Sequence, residues 1–258
     1  MKRKTVMHVV FYSGGLGSWA TAKHVIETHG PDNVTLLFTD TLGEDPDLYR
    51  FLDDTEKDFG IPITRLADGR TIWEVFKDKR LLGNSRIAPC SHELKQKPAR
   101  KWIEQNCDPA TTILYVGIDW SETHRLPSVV RGWDPYTIQA PLTDPPYLDK
   151  QAIRDLLEES GIALPQLYVL GYAHNNFGGG CVRAGHGQFL HMLETRPEVY
   201  AEWEANENAM REFLDRNVSI LRDRTGGVSK PLPLSVLRQR GTGDRDDIGG
   251  CGCFIDAE

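Results

Sequence analysis

Apolar residues fall along this chain in two alternating rhythms. Nearly continuous runs of Val, Ile, Leu, Phe and Tyr at 6–12, 34–39, 63–66 and 113–118 have the length of strands. Runs of that kind suit strands that are covered on both faces. Between them the spacing becomes that of amphipathic helices, predicted over 18–28, 47–59, 72–79, 97–106 and 150–160. Strand–helix alternation predicts an α/β fold, a doubly wound and mostly parallel sheet with helices on both faces.

After residue 165 the pattern changes. A Gly- and Cys-containing loop at 171–187 is followed by helical stretches at 188–192 and 197–217. A tail rich in Gly, Arg and Pro then closes on Cys251-Gly252-Cys253. Two units are expected: an α/β core over 1–165 and a cysteine-bearing C-terminal extension over 166–258, folded back on the core. In open α/β sheets ligands lie outside the carboxyl ends of the strands. Chemistry is therefore sought just after the predicted strands.

The first of them runs into Ser13-Gly14-Gly15-Leu16-Gly17-Ser18. Glycines let a backbone curl around an anion so that successive N–H groups face it. The positive end of the helix that follows adds to the attraction. The loop lacks the Gly-Lys-Ser/Thr ending of a Walker loop, and it is not Gly-x-Gly-x-x-Gly. Taken alone, it is equally compatible with an ordinary strand-to-helix turn.

Composition narrows the setting. The 258 residues are 40% hydrophobic, as in a globular chain, and carry a net charge of −7, which argues against a general nucleic-acid coat protein. Yet Lys77, Lys79, Arg80, Arg86, Lys95, Lys97, Arg100 and Lys101 surround Cys90, a cationic setting suited to phosphate, sulfate or a nucleic-acid backbone, with a solvated helix face as the alternative for any single lysine. The apolar stretch behind Met1-Lys2-Arg3-Lys4 is short and reads as a first strand, not a signal peptide. No apolar run has membrane-spanning length. Five cysteines without a secretory signal point to a reducing compartment, and the cytoplasm is the expected location.

The spacing Ser-Gly-Gly-x-x-Ser resembles the pyrophosphatase loop of the PP-loop ATP pyrophosphatase, or adenine nucleotide α-hydrolase, superfamily. Further segments resemble its phosphoadenylyl-sulfate (PAPS) reductase-like branch. They are Asp40-Thr41-Leu42-Gly43-Glu44 with Tyr49, Cys90 followed by Leu94-Lys95 and Pro98, and Gly117 through Glu122 to Arg125. His174-Asn175-Asn176-Phe177 through Cys181 to Gly185 resembles a cysteine loop of many such proteins, bacteriophage-encoded ones included, with Phe177 in place of the first cysteine.

The resemblance implies an adenine nucleotide, ATP or PAPS, with chemistry at its α-phosphate and Mg2+ to offset the phosphate charge. It assigns Ser13, Gly14, Gly15, Gly17 and Ser18 to the phosphates, and Asp40 and Thr41 to the sugar or phosphate. Gly117, Glu122 and Arg125 fall to the nucleotide's far end. Gly17 stands where many members carry Asp, and Asp119 where the branch carries Arg.

The cysteines bear on the reaction class. The resemblance implies Cys90, Cys181, Cys251 and Cys253 as metal ligands of a [4Fe–4S] cluster, with zinc or redox thiols as alternatives. It makes Cys90, Cys181 and Arg125 the expected catalytic residues and puts His174 near substrate or cluster; Cys107 is expected to be structural. The implied activity is enzymatic: ATP-dependent adenylation of an acceptor that supports sulfur transfer. Thiol-dependent reduction of PAPS to sulfite is the alternative, and a non-enzymatic nucleotide-binding regulator is a third. The expected partners are an adenine nucleotide and a sulfur acceptor, itself a nucleic acid, a nucleotide or a small metabolite. No membrane partner is expected, and a homodimer is left open.

Overall fold

A computed structural model describes residues 5–249, so Cys251 and Cys253 lie outside the described residues. Five parallel strands form the main sheet: β1 (Met7–Phe11), β2 (Val34–Asp40), β3 (Ile63–Ala67), β4 (Thr112–Tyr115) and β5 (Thr137–Gln139). Their order is β3-β2-β1-β4-β5. The chain steps outward from β1 to β3, then crosses back over β1 to β4 and steps outward the other way. That reversal leaves a crevice at the carboxyl ends of β1 and β4. The fold is the α/β parallel sheet that the alternation predicts, with one more strand. β5 is a three-residue edge strand with no apolar run to mark it, aligned by pairing Ile113 to Tyr115 against Thr137 to Gln139.

Successive side chains of a strand face opposite sides of the sheet, and both sides are covered. Val10, Leu36 and Phe38 join Trp19, Phe51 and Leu157 beneath α1 (Leu16–His29), α2 (Pro46–Phe59) and α6 (Lys150–Glu159). Their strand neighbours Val9, Phe11 and Leu37 pack with Ile103, Val129 and Trp133 on the opposite face, below α4 (Lys97–Asn106) and α5 (Leu126–Gly132).

Local chemistry sets the helix limits. Asp45 caps α2 by accepting the Asp47 N–H, and Gly60 ends it in the left-handed region. Thr71 and Glu74 form a reciprocal capping box at the start of α3 (Ile72–Lys79). Just before α4, the buried segment Ser91–Gln96 is a π-helical turn that apolar periodicity does not forecast.

A third core joins the middle of the chain to its end. Phe76 of α3 and Leu94 of the π turn pack with Phe189 of α8 (His186–Thr195), Trp203 and Met210 of α9 (Pro197–Leu214), and Leu237 of α10 (Leu234–Arg240). The hairpin β6 (Leu221–Asp223) and β7 (Lys230–Leu232) closes this region. Glu207, wholly buried in α9, accepts the N–H groups of Ile220 (2.8 Å) and Leu234 (2.6 Å) and so anchors the hairpin's approach and α10. Burial pushes its carboxyl pKa upward. A short helix α7 (Gln166–Val169) leads into the glycine-rich loop. Among the described residues no helix is long and apolar enough to cross a membrane.

Candidate functional site

The crevice between β1 and β4 opens into a cleft of about 1350 Å³. Ser13, Gly15, Gly17, Ser18, Gly117, Glu122 and Arg125 line its core side, and Tyr168, His174, Asn175, Arg183 and Arg222 the other. A drug-sized ligand fills roughly 300–1,000 Å³, so the cleft has room for a nucleotide and part of a second reactant.

The loop after β1 is shaped by its own polar groups. Gly14 has φ +75, the left-handed conformation that glycine adopts without strain. The Ser18 hydroxyl donates to the Gly15 carbonyl (2.9 Å) and accepts from the Ser13 amide and hydroxyl (3.2 Å each). Both hydroxyls thus hold the turn together. The ligand-facing chemistry passes to main-chain N–H groups at the start of α1, which have no acceptor within the helix, and to the helix dipole. The Leu16 N–H is met by the Tyr168 hydroxyl at 3.2 Å.

Gly17 and Gly117 press backbone against backbone. A Cβ at position 17 would stand 2.7 Å from the Gly117 carbonyl oxygen, and one at position 117 would stand 2.6 Å from the Ser18 nitrogen. Contacts that short are not tolerated. The absence of Asp at position 17 follows: no side chain fits where the two strand-end loops meet.

The end of β2 is different. Asp40 accepts hydrogen bonds from the Tyr49 hydroxyl (2.9 and 3.1 Å) and the Leu42 amide (2.8 Å), while the buried Thr41 donates to Glu44 at 2.9 Å. Burial and the Asp40 carboxylate raise the Tyr49 pKa. Neither Asp40 nor Thr41 is among the residues lining the cleft.

Beyond β4, Asp119 caps the turn Trp120–Arg125 by accepting from the Ser121 amide (2.8 Å) and hydroxyl (2.6 Å). Asp119 thus has a local structural role at this turn. Glu122 and Arg125 pair at 2.6 Å, and the Arg125 Nε is buried without a hydrogen-bond partner among the described residues.

The π turn brings charge to the cleft from below. Lys95 lines it, with its ammonium 3.8 Å from the buried Glu44 carboxylate and 4.6 Å from the centre of the Phe177 ring. Phe177, at φ +50, donates its N–H to Glu44 at 2.7 Å. Its ring therefore covers Lys95. Glu93, two residues earlier, accepts from Lys79 and Lys97 (2.8 Å each), and these two hydrogen bonds lower its pKa to about 2.

Cys90 is buried in the third core, and Cys181 packs against that same core from the glycine-rich loop. The Arg183 amide donates to the Cys181 sulfur at 3.4 Å. Cys181 faces a small hollow whose walls share His174, Asn176, Ala184 and Gly249 with the cleft. Cys90 lines neither space. Among the described residues no three His, Cys, Asp or Glu side chains are placed to hold a metal ion, and half of the expected ligand set, Cys251 and Cys253, lies outside them. Cys107 is half-buried beside the second sheet face, and burial raises its pKa.

Cleft residues not singled out from the sequence as site residues include Lys95, Tyr168, Asn175 and Arg183. Lys95, Asn175 and Arg183 sit inside recognisable segments, and their charge or amide was the available signal. Tyr168 had none, because its hydroxyl reaches the loop only through the fold.

No protein-family model matches this chain. An uncharacterized protein of Methanocaldococcus jannaschii is 26% identical over 218 residues, which cover 83% of this chain. The match takes in 43% of that relative, so this chain spans less than half its length. Among solved structures, the PAPS reductase of Candida auris in complex with phosphate is similar at a TM-score of 0.47 and 16% identity, over 66% of this chain and 80% of that one. The NH3-dependent NAD synthetase of Campylobacter jejuni is similar at a TM-score of 0.42 and 12% identity, over 83% and 86%.

Proposed function

We propose that the protein is a PP-loop enzyme that binds an adenine nucleotide, preferably ATP, in this cleft. In this proposal it adenylates an acceptor at the α-phosphate with release of pyrophosphate. The observation that carries the proposal is the open crevice at the β1–β4 reversal, where a glycine loop and the start of α1 face a cleft with room for a nucleotide and part of a second reactant. Main-chain N–H groups and the helix dipole hold the phosphates, and Lys95 and Arg125 add positive charge around them. Mg2+ would neutralise part of the triphosphate charge when bound with the nucleotide.

Incubation with ATP, Mg2+ and candidate acceptors tests this proposal. Pyrophosphate should appear in step with adenylylated acceptor and only when acceptor is present, with AMP released once a second nucleophile displaces the adenylyl group. Labelled PAPS in the presence of a dithiol reductant separates the alternative, since sulfite release without ATP turnover would replace adenylation by reduction. Binding of both nucleotides without turnover of either would leave a regulatory binding protein.

Sulfur transfer assisted by an iron–sulfur cluster is the finer proposal. Two observations favour it: Cys90 and Cys181 meet one core from distant parts of the chain, and a backbone N–H points at the Cys181 sulfur. Those two thiols would hold the cluster together with Cys251 and Cys253, and the bound group would supply sulfur chemistry beside the nucleotide. Anaerobic purification with iron and sulfide analysis decides the matter; a colourless, iron-free and fully active protein overturns it.

A further inference from the structure

The loop after β1 is held in shape by a residue 161 positions away. Asn175 lies between α7 and α8 and is 3% exposed. Its Nδ2 donates to the Gly14 carbonyl at 2.9 Å in a buried contact. A carbonyl acceptor requires the nitrogen of the amide to face it, so the orientation of Asn175 is determined and Oδ1 points elsewhere. That oxygen is buried and has no hydrogen-bond partner among the described residues. The side chain thus spends its donor on the Gly14 carbonyl and carries the desolvation cost of an unpaired oxygen to do so.

The peptide between Gly14 and Gly15 is planar and trans, so its carbonyl and its N–H point in opposite directions. Holding the Gly14 carbonyl on Asn175 therefore turns the Gly15 N–H to the other edge of the peptide. Gly15 lines the cleft and Gly14 does not. Two adjacent glycines allow this peptide to flip at little conformational penalty, and the flipped form would aim a carbonyl oxygen at any anion in the loop.

We propose that Asn175 is a positioning residue of the phosphate site, clamping the Gly14 carbonyl so that the Gly15 N–H is presented to a phosphoryl group. The inference rests on the nucleotide proposal above and adds the device that makes the loop selective for phosphate.

Calorimetric titration of wild type, Asn175→Asp and Asn175→Ala with ATP and with adenosine tests it, alongside the melting temperature of each protein. Aspartate keeps the shape and lacks the donor. ATP affinity should fall at least tenfold in both variants while adenosine affinity stays within twofold, because adenosine has no phosphate for the loop to hold. Variants that bind ATP like wild type, or that lose ATP and adenosine in equal proportion, overturn the clamp and leave the nucleotide proposal standing. Wild type that binds neither ligand removes the nucleotide proposal itself, and the clamp with it. Should Asn175→Asp not fold, Asn175→Ser takes its place. Serine is too short to reach the Gly14 carbonyl and, like alanine, must lose ATP affinity at least tenfold with adenosine affinity within twofold; wild-type ATP affinity overturns the proposal.

Discussion

The carboxyl ends of β1 and β2 lie side by side in one sheet, yet they end in opposite ways. After β2, Asp40, Thr41, Glu44 and Tyr49 satisfy one another's hydrogen bonds and stand apart from the cleft. After β1, the serines satisfy the turn, and the start of α1 faces the cleft. The difference is topological. β1 borders the reversal of strand order, where no following strand and helix cover its end, whereas β2 sits between β1 and β3. A strand's carboxyl end is a candidate site only when the connections around it leave room.

The most damaging way to break this comparison is to fill the gap between Gly17 and Gly117. Gly17→Ala places a methyl group 2.7 Å from a backbone oxygen that belongs to another strand-end loop and cannot rotate away. A stability loss of about 1–3 kcal/mol is expected from such overpacking, with ATP affinity reduced at least tenfold. Denaturant unfolding and calorimetry would measure the two; unchanged ATP binding would mean that the crevice is not the phosphate site.

Glu93 tests whether the π turn supports the cleft from beneath. Its pKa is lowered from 4.5 to about 2, so its ion pairs contribute stability above pH 4.5, and that contribution disappears as pH falls toward 2. Glu93→Gln should therefore melt below wild type at pH 7, and the two melting temperatures should converge as the pH approaches 2. Parallel curves across that range would show that the carboxylate adds nothing.

Asp40→Asn probes the closed end. Losing part of the Tyr49 and Leu42 contacts should destabilise the protein by about 1 kcal/mol, with ATP affinity within twofold of wild type. A tenfold loss of ATP binding would return Asp40 to the nucleotide site and erase the contrast between the two strand ends. The smallest effect is expected of Tyr168→Phe. Its hydroxyl covers the Leu16 N–H, so its removal should raise ATP affinity by less than threefold. A clear fall would make the hydroxyl part of the binding surface.

Much of this architecture is legible in the amino-acid order. Helix α3 begins at a Thr-x-x-Glu box and α4 carries Pro98 in its first turn, which is why both occupy the predicted positions 72–79 and 97–106. β5 escaped because three residues at an edge, exposed on either side of Ile138, need no apolar run. The π turn escaped because its buried Glu93, Lys95 and Gln96 are polar residues that only their partners make tolerable. Asp40 and Thr41 show the converse: a family-like motif draws attention to the end of β2, where local hydrogen bonds give a closed structure.

Spacing and residue type alone determined the alternating elements, the parallel sheet and the small-residue loop after the first strand, since these depend on neighbours a few positions apart. Which loops face the cleft, why no side chain fits at position 17, and that Tyr168 and Asn175 reach the loop were decided only when remote segments packed together. Contacts across 100 to 160 positions leave no periodic trace in the chain, because they depend on where whole elements come to rest.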